Sequence, residues 1–171
     1  GRYLHELFAL ETPLAERVPM SAYTWYSFPD LNGENAVTFE SYPEYVQGII
    51  GAHGFHNIKL SMCDFEPHRY IELVHNIRAA VGPDFHLMHD SVQNYIYTDA
   101  LRIGRVLEET DYFWFEEPLR DFDLMGLKKL TDELEVPIAA SEYLPGTIHS
   151  TAQLLGQQVV DIVRASVPWR G

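Results

Sequence analysis

The sequence predicts an α/β fold in which a parallel sheet is covered by helices. Three observations carry that reading. Short apolar runs of strand length alternate with amphipathic segments of helical period. The strand runs are apolar nearly throughout, as strands buried on both faces are. Gly, Pro, Asp and Asn punctuate the joins, and no low-complexity stretch or long linker interrupts the alternation.

The first strand candidate is Val18 to Trp25, rich in aromatic residues, followed by a polar loop with Pro29, Asp30, Asn32 and Gly33. Ser41, with Glu44 three residues on, has the spacing of a capping box and opens a helix. Tyr45, Val46, Ile49 and Ile50 line its apolar face, and Gly51 and Gly54 bracket its end. The second strand is Asn57 to Met62. Asp64 is the expected cap of a helix burying Tyr70, Ile71, Val74, Ile77 and Val81, which Gly82-Pro83 stops. Phe85 to His89 reads as strand three, and Ala100, Ile103, Gly104 and Leu107 line the next helix. Tyr112 to Phe115 is strand four. Asp123 caps a helix carrying Leu124, Leu127, Leu130 and Leu134. Val136 to Ala140, the helix Thr147 to Leu155, and Val159 to Val163 complete the series.

Two closures suit such a series: a (β/α) barrel or an open, doubly wound sheet. No Gly-x-Gly-x-x-Gly follows the first strand, and no Gly-x-x-x-x-Gly-Lys-Ser/Thr occurs, so the nucleotide-binding versions of the open sheet lose weight. The 171 residues suffice for one domain. A closed eight-stranded barrel takes about 250.

Composition excludes several functions. Twelve Lys+Arg against 25 Asp+Glu give a net charge of −13, which disfavours binding to nucleic-acid phosphates. A hydrophobic content of 46% is too high for a disordered acidic tail. The single cysteine, Cys63, permits no internal disulfide, which fits the cytoplasm. No apolar run is long enough for a membrane helix, and residues 1–6 show no leader-like apolar stretch.

The chemistry is suggested by where acids follow strands. Strand three runs into Asp90, strand four into Glu116-Glu117-Pro118, and strand five into Ser141-Glu142. The steps between positions 90, 116 and 142 are both 26 residues, one strand-helix unit each. The three acids are therefore expected side by side on the C-terminal rim, where parallel α/β folds place their sites. One acid after a strand is usually a helix cap or a solvated loop residue. Three in successive units would repel unless neutralised, and a hard divalent cation such as Mg²⁺ takes such oxygen ligands. Lys59 ends strand two, where it either snorkels or polarises a substrate carboxylate. Glu117 either orients a neighbour or pairs with an arginine. Arg164 either meets an anionic substrate or bridges to a rim acid. His89 is expected to point away from Asp90 and to pack.

At these residues the chain resembles the enolase superfamily, in its mandelate racemase and muconate lactonizing enzyme branch. The Lys59 and Asp90 strand ends, the run Trp114-Phe115-Glu116-Glu117-Pro118-Leu119, Pro137 to Glu142 and Asp161-Ile162-Val163-Arg164 recur there in this order. The resemblance implies a (β/α)7β barrel of TIM type, here incomplete with about six strands. Residues 1–16 would be the tail of a capping domain and 17–171 a partial barrel. It further implies one Mg²⁺ held by Asp90, Glu116 and Glu142, and abstraction of the proton α to a substrate carboxylate. The expected substrate is a small acid sugar, the expected outcome its dehydration, and a homo-oligomer is compatible with the family.

The departures matter equally. The family's second strand usually ends Lys-x-Lys or Lys-x-His, the last residue being the base. Here it reads Lys59-Leu60-Ser61, and a serine hydroxyl is a poor base without help. The family's sixth strand usually supplies an Asp, where this chain has Ser166. The rival expectation is thus a non-catalytic barrel fragment that keeps the metal site.

Overall fold

The computed structural model describes residues 21–25, 37–61, 66–144, 146 and 148–164. The chain alternates β1 (Ala22–Trp25), α1 (Tyr42–His53), β2 (Asn57–Ser61), α2 (Pro67–Val81), β3 (His86–Asp90) and α3 (Tyr97–Glu109). It continues with β4 (Tyr112–Glu116), α4 (Leu124–Glu133), β5 (Ile138–Ala140), α5 (Ile148–Gly156) and β6 (Ile162–Val163). All pairings are parallel and the strand order follows the sequence, β1-β2-β3-β4-β5-β6. Consecutive helices pack on one another: α1 on α2, α2 on α3 and α3 on α4. A doubly wound sheet reverses its strand order at a switch point. This sheet does not, so of the two closures the barrel type is the one formed, as six consecutive strands.

Period-2 alternation divides each strand between two faces. Ile58, Leu60, Leu87, His89, Phe115 and Ile138 belong to the core formed with Val46, Tyr70, Leu73, Val74, Ile77, Ile103, Leu107, Leu127 and Leu130 of the helices. The opposite face carries Lys59, Ser61, Met88, Asp90, Trp114 and Glu116. The aliphatic helix stripes are thus where expected, although Ile71 and Val81 are only partly buried and Leu124 is exposed. Gly104 lets α3 approach Leu134, whose side chain a Cβ at that position would strike. At the opposite rim, the Arg78 guanidinium donates to the carbonyls of Gly82, Phe85, Thr110 and Asp111, tying α2 to the turns before β3 and β4.

Two caps differ from expectation. Ser41 does occupy the N-cap of α1, but its hydroxyl accepts from the Thr38 amide at 2.9 Å and caps no helical N–H. The chain ahead of the helix turns back on itself and takes the hydroxyl first. Helix α2 starts at Pro67 behind Glu66, with no side-chain cap, rather than at Asp64. Proline pre-sets the first helical φ and brings no N–H to satisfy. Asp123 caps α4 as expected, accepting from the Gly126 amide at 2.9 Å. Gly54, at φ 66°, ends α1 in the left-handed conformation that glycine adopts without strain. The predicted capping-domain tail at 1–16, the Pro29–Gly33 loop, Cys63, Asp64 and Ser166 lie outside the described residues.

Candidate metal centre at the strand ends

Glu116 is the centre of the site. It ends β4, is 0% exposed, and its Oε1 accepts from Lys59 Nζ at 2.9 Å and from Arg164 Nη1 at 2.6 Å. Its Oε2 accepts from the Trp114 indole at 3.1 Å. Lys59 also donates to Asp90 Oδ2 at 2.9 Å, and Arg164 Nη2 stands 2.8 Å from Glu142 Oε1. The side chains form one row of alternating sign: Asp90, Lys59, Glu116, Arg164, Glu142. Arg164 thus bridges two rim acids while also lining the cavity.

The backbone aims these groups. Asp90 and Glu116 are register partners at the ends of β3 and β4. The Val92 amide, reached through a left-handed turn at φ 51°, donates to Asp90 Oδ1 at 3.1 Å. Glu142 differs from expectation, because it does not end a strand. The partner of Glu116 on β5 is Ala139, and β5 stops at Ala140. Glu142 stands on the loop beyond, so equal sequence steps do not place the three acids at equal depth.

Electrostatics follow burial and neighbours. Desolvation and the Asp90 charge push the Glu116 carboxyl up, against the lowering effect of Lys59 and Arg164. Burial by itself would pull Lys59 down, but Asp90 and Glu116 outweigh it and raise it above the usual lysine value. Lys59 is therefore an ammonium at neutral pH. Glu117, 2% exposed and at φ 45°, follows Glu116 and lines the same cavity. Burial first, then the charges of Asp121, Asp90, Glu142 and Glu116, push it up to about 8.

A cavity of about 430 Å³ opens over this row, lined by Lys59, Asp90, Glu117, Glu142 and Arg164 together with Tyr23, Trp114 and Tyr143. The predicted site residues thus converge, with Ser61 apart from the charged row. Ser61 is the register partner of Asp90 but is only 1% exposed. The aromatic residues were missed from sequence, although Trp114 is two residues before Glu116 and so shares its face. Asp121 was missed as well, being one polar residue among several in a loop.

As placed, no three acids or histidines among the described residues stand close enough to hold a metal, because the two cations lie between the acids. The donor set nevertheless suits a hard cation. It is all carboxylate oxygen, and four acids there face two cations. The buried Glu117 Oε1 has no partner at all, which marks a deficit of positive charge.

The sequence profile of the enolase C-terminal domain-like family matches residues 41–171. The chain belongs to that family. Arabinonate dehydratase of Saccharolobus solfataricus is 35% identical to this enolase-family chain over 118 residues, 69% of the chain and 31% of the relative. L-talarate/galactarate dehydratase of Salmonella typhimurium is 35% identical over 92 residues, 54% of the chain and 23% of the relative. The chain therefore spans under a third of the length of these curated relatives. Among solved structures, D-glucarate dehydratase from Agrobacterium tumefaciens, complexed with magnesium, superposes with a TM-score of 0.72 at 31% identity. That match covers 78% of this chain and 36% of the other. The resemblance to the enolase superfamily is thereby borne out, and so is the barrel-type fold. Among the described residues no helix is long and apolar enough to cross a membrane.

Proposed function

We propose that this enolase-family chain carries the metal-holding part of a Mg²⁺-dependent acid-sugar dehydratase. The observation that carries the reading is the row Asp90–Lys59–Glu116–Arg164–Glu142 along one rim, facing a cavity of small-molecule size. The names of the relatives agree with it, since arabinonate and L-talarate/galactarate are sugar acids. A variant of an L-talarate/galactarate dehydratase is solved with Mg and L-glucarate.

In this reading Asp90, Glu116 and Glu142 hold the Mg²⁺. The bound cation supplies positive charge against the negative charge that builds on a substrate carboxylate when its α-proton leaves. Lys59 stays protonated and donates to that carboxylate from the cavity wall, adding a second fixed positive charge. In the metal-free site Asp90 and Glu116 hold its proton in place. Arg164 pairs with both Glu116 and Glu142. The α-proton and the β-hydroxyl together leave as one water, and the enol that remains becomes a 2-keto acid. Glu117 supplies a carboxyl that orients its neighbours or meets the substrate.

Ser61, a serine where the family usually ends this strand with its base, favours a second reading, a domain that binds metal without turning over substrate. One experiment separates the two. The protein, and a form extended to the length of its relatives, are incubated with a panel of acid sugars and Mg²⁺, and 2-keto acid is measured. Keto acid that disappears in Glu116→Ala is the expected result. Mg²⁺ binding without product from either form establishes the second reading, and product that survives Glu116→Ala refutes the metal assignment.

A further inference from the structure

Glu142 is the one acid of the row that no sheet ladder aims. Strand β5 leaves its partner at Ala140, paired with Val163. Ser141 then turns the chain at φ 84°, a left-handed conformation costly for a residue with a Cβ. Something must hold this turn. Asp121 Oδ1 accepts the Ser141 amide at 2.8 Å, and Asp121 Oδ2 accepts the Tyr143 amide at 2.8 Å. One carboxylate thus grips the backbone on both sides of Glu142.

Asp121 is itself fixed. It is 5% exposed, and its amide donates to Gln93 Oε1 at 3.3 Å, while the Gln93 amide donates to the Glu117 carbonyl at 2.8 Å. The loops after β3, β4 and β5 are linked through these two side chains. The choice of residue is informative. A further negative charge beside Glu117 is costly, and it is one reason that Glu117 is pushed up. An asparagine would avoid the cost, but it offers one acceptor and a donor, which would face an N–H. Only a carboxylate accepts from both amides.

We infer that Asp121 is a positioning residue, whose two-amide grip turns Glu142 into the metal site. The inference rests on the proposed role of Glu142 as a ligand. Groups that orient metal ligands typically change metal affinity 10- to 100-fold when replaced.

Mn²⁺ serves as the probe, titrated calorimetrically against the wild-type protein, Asp121→Asn, Glu142→Gln and the double variant. Asp121→Asn is expected to weaken Mn²⁺ binding by about 10- to 100-fold. In the Glu142→Gln background the same change is expected to do nothing more, since its effect runs through Glu142. Wild-type affinity in Asp121→Asn overturns the inference. So does an equal loss in both backgrounds, which is what a merely structural role produces. Undiminished binding in Glu142→Gln instead removes the ligand role of Glu142, an outcome distinct from the other two. If Asp121→Asn does not fold, Asp121→Glu, which keeps both acceptors, is expected to fold and to bind Mn²⁺ within tenfold of wild type. Failure of Asp121→Glu to fold, or to bind, overturns the inference.

Discussion

Asp90 faces Glu116 across the β3–β4 ladder because one residue, Phe113, drops out of it. Leu87 pairs with Tyr112, but the next residue, Met88, pairs with Trp114. Phe113 bulges out and is 57% exposed. Without the bulge, Asp90 would pair with Phe115, and Glu116 would fall outside the paired register. A one-residue slip in a strand exchanges its two faces, so the bulge decides which side of the sheet Glu116 enters.

Deletion of Phe113 therefore tests the register. It joins Tyr112 directly to Trp114, which already pair with the consecutive residues Leu87 and Met88, so Asp90 still meets Glu116. Mg²⁺ binding, read by calorimetry, is expected to survive the deletion, and its loss would show that the bulged residue itself is needed to aim Glu116. Phe113→Ala keeps the residue count and is expected to change stability little.

Lys59 neutralises two carboxylates at once. Lys59→Met leaves Asp90 and Glu116 facing each other, and the expected loss of stability without metal is about 3–5 kcal/mol at pH 7. The pH dependence has a definite sign. The folded-state value of Lys59 is raised, so its stabilisation is complete below the ordinary lysine value and disappears as pH rises through the folded one. The gap between wild type and Lys59→Met, followed by urea unfolding, is expected to be constant from neutral pH to about 10 and to close above that.

Glu117 gives a trend of the same sign in a lower pH window. An acid raised from its ordinary value to about 8 holds its proton in the folded state where the unfolded chain has lost it. Metal-free stability should therefore fall between pH 4.5 and 8, by at most about 1.4 kcal/mol per pH unit for one proton. Glu117→Gln is expected to flatten that slope, as measured by thermal unfolding across the range.

The Tyr70 hydroxyl and His89 Nδ1 are 2.7 Å apart behind Asp90, and the rings stack with centroids 4.5 Å apart. Burial holds His89 down to about 3, so it remains neutral. Tyr70→Phe leaves a buried ring nitrogen without its partner, and the expected cost is about 1–3 kcal/mol in urea unfolding. Mg²⁺ affinity is expected to stay within a few-fold of wild type.

The order of elements was legible in the sequence, because burial on both sheet faces demands apolar runs and packing on one helix side demands a 3.6-residue period. The sequence also determined which residues bear the charge of the site, since acids that directly follow apolar strands must emerge at one rim. His89, placed by alternation on the side away from Asp90, is in the core. What the tertiary structure decided was alignment. The equal 26-residue spacing suggested three acids at one level, yet a bulge at Phe113 sets Asp90 against Glu116, while Glu142 lies beyond its strand. Ladder register and loop direction depend on partners far along the chain, which no local pattern specifies. The same holds for Asp121, one more polar residue in a loop until the fold brings the amides of Ser141 and Tyr143 to its two oxygens.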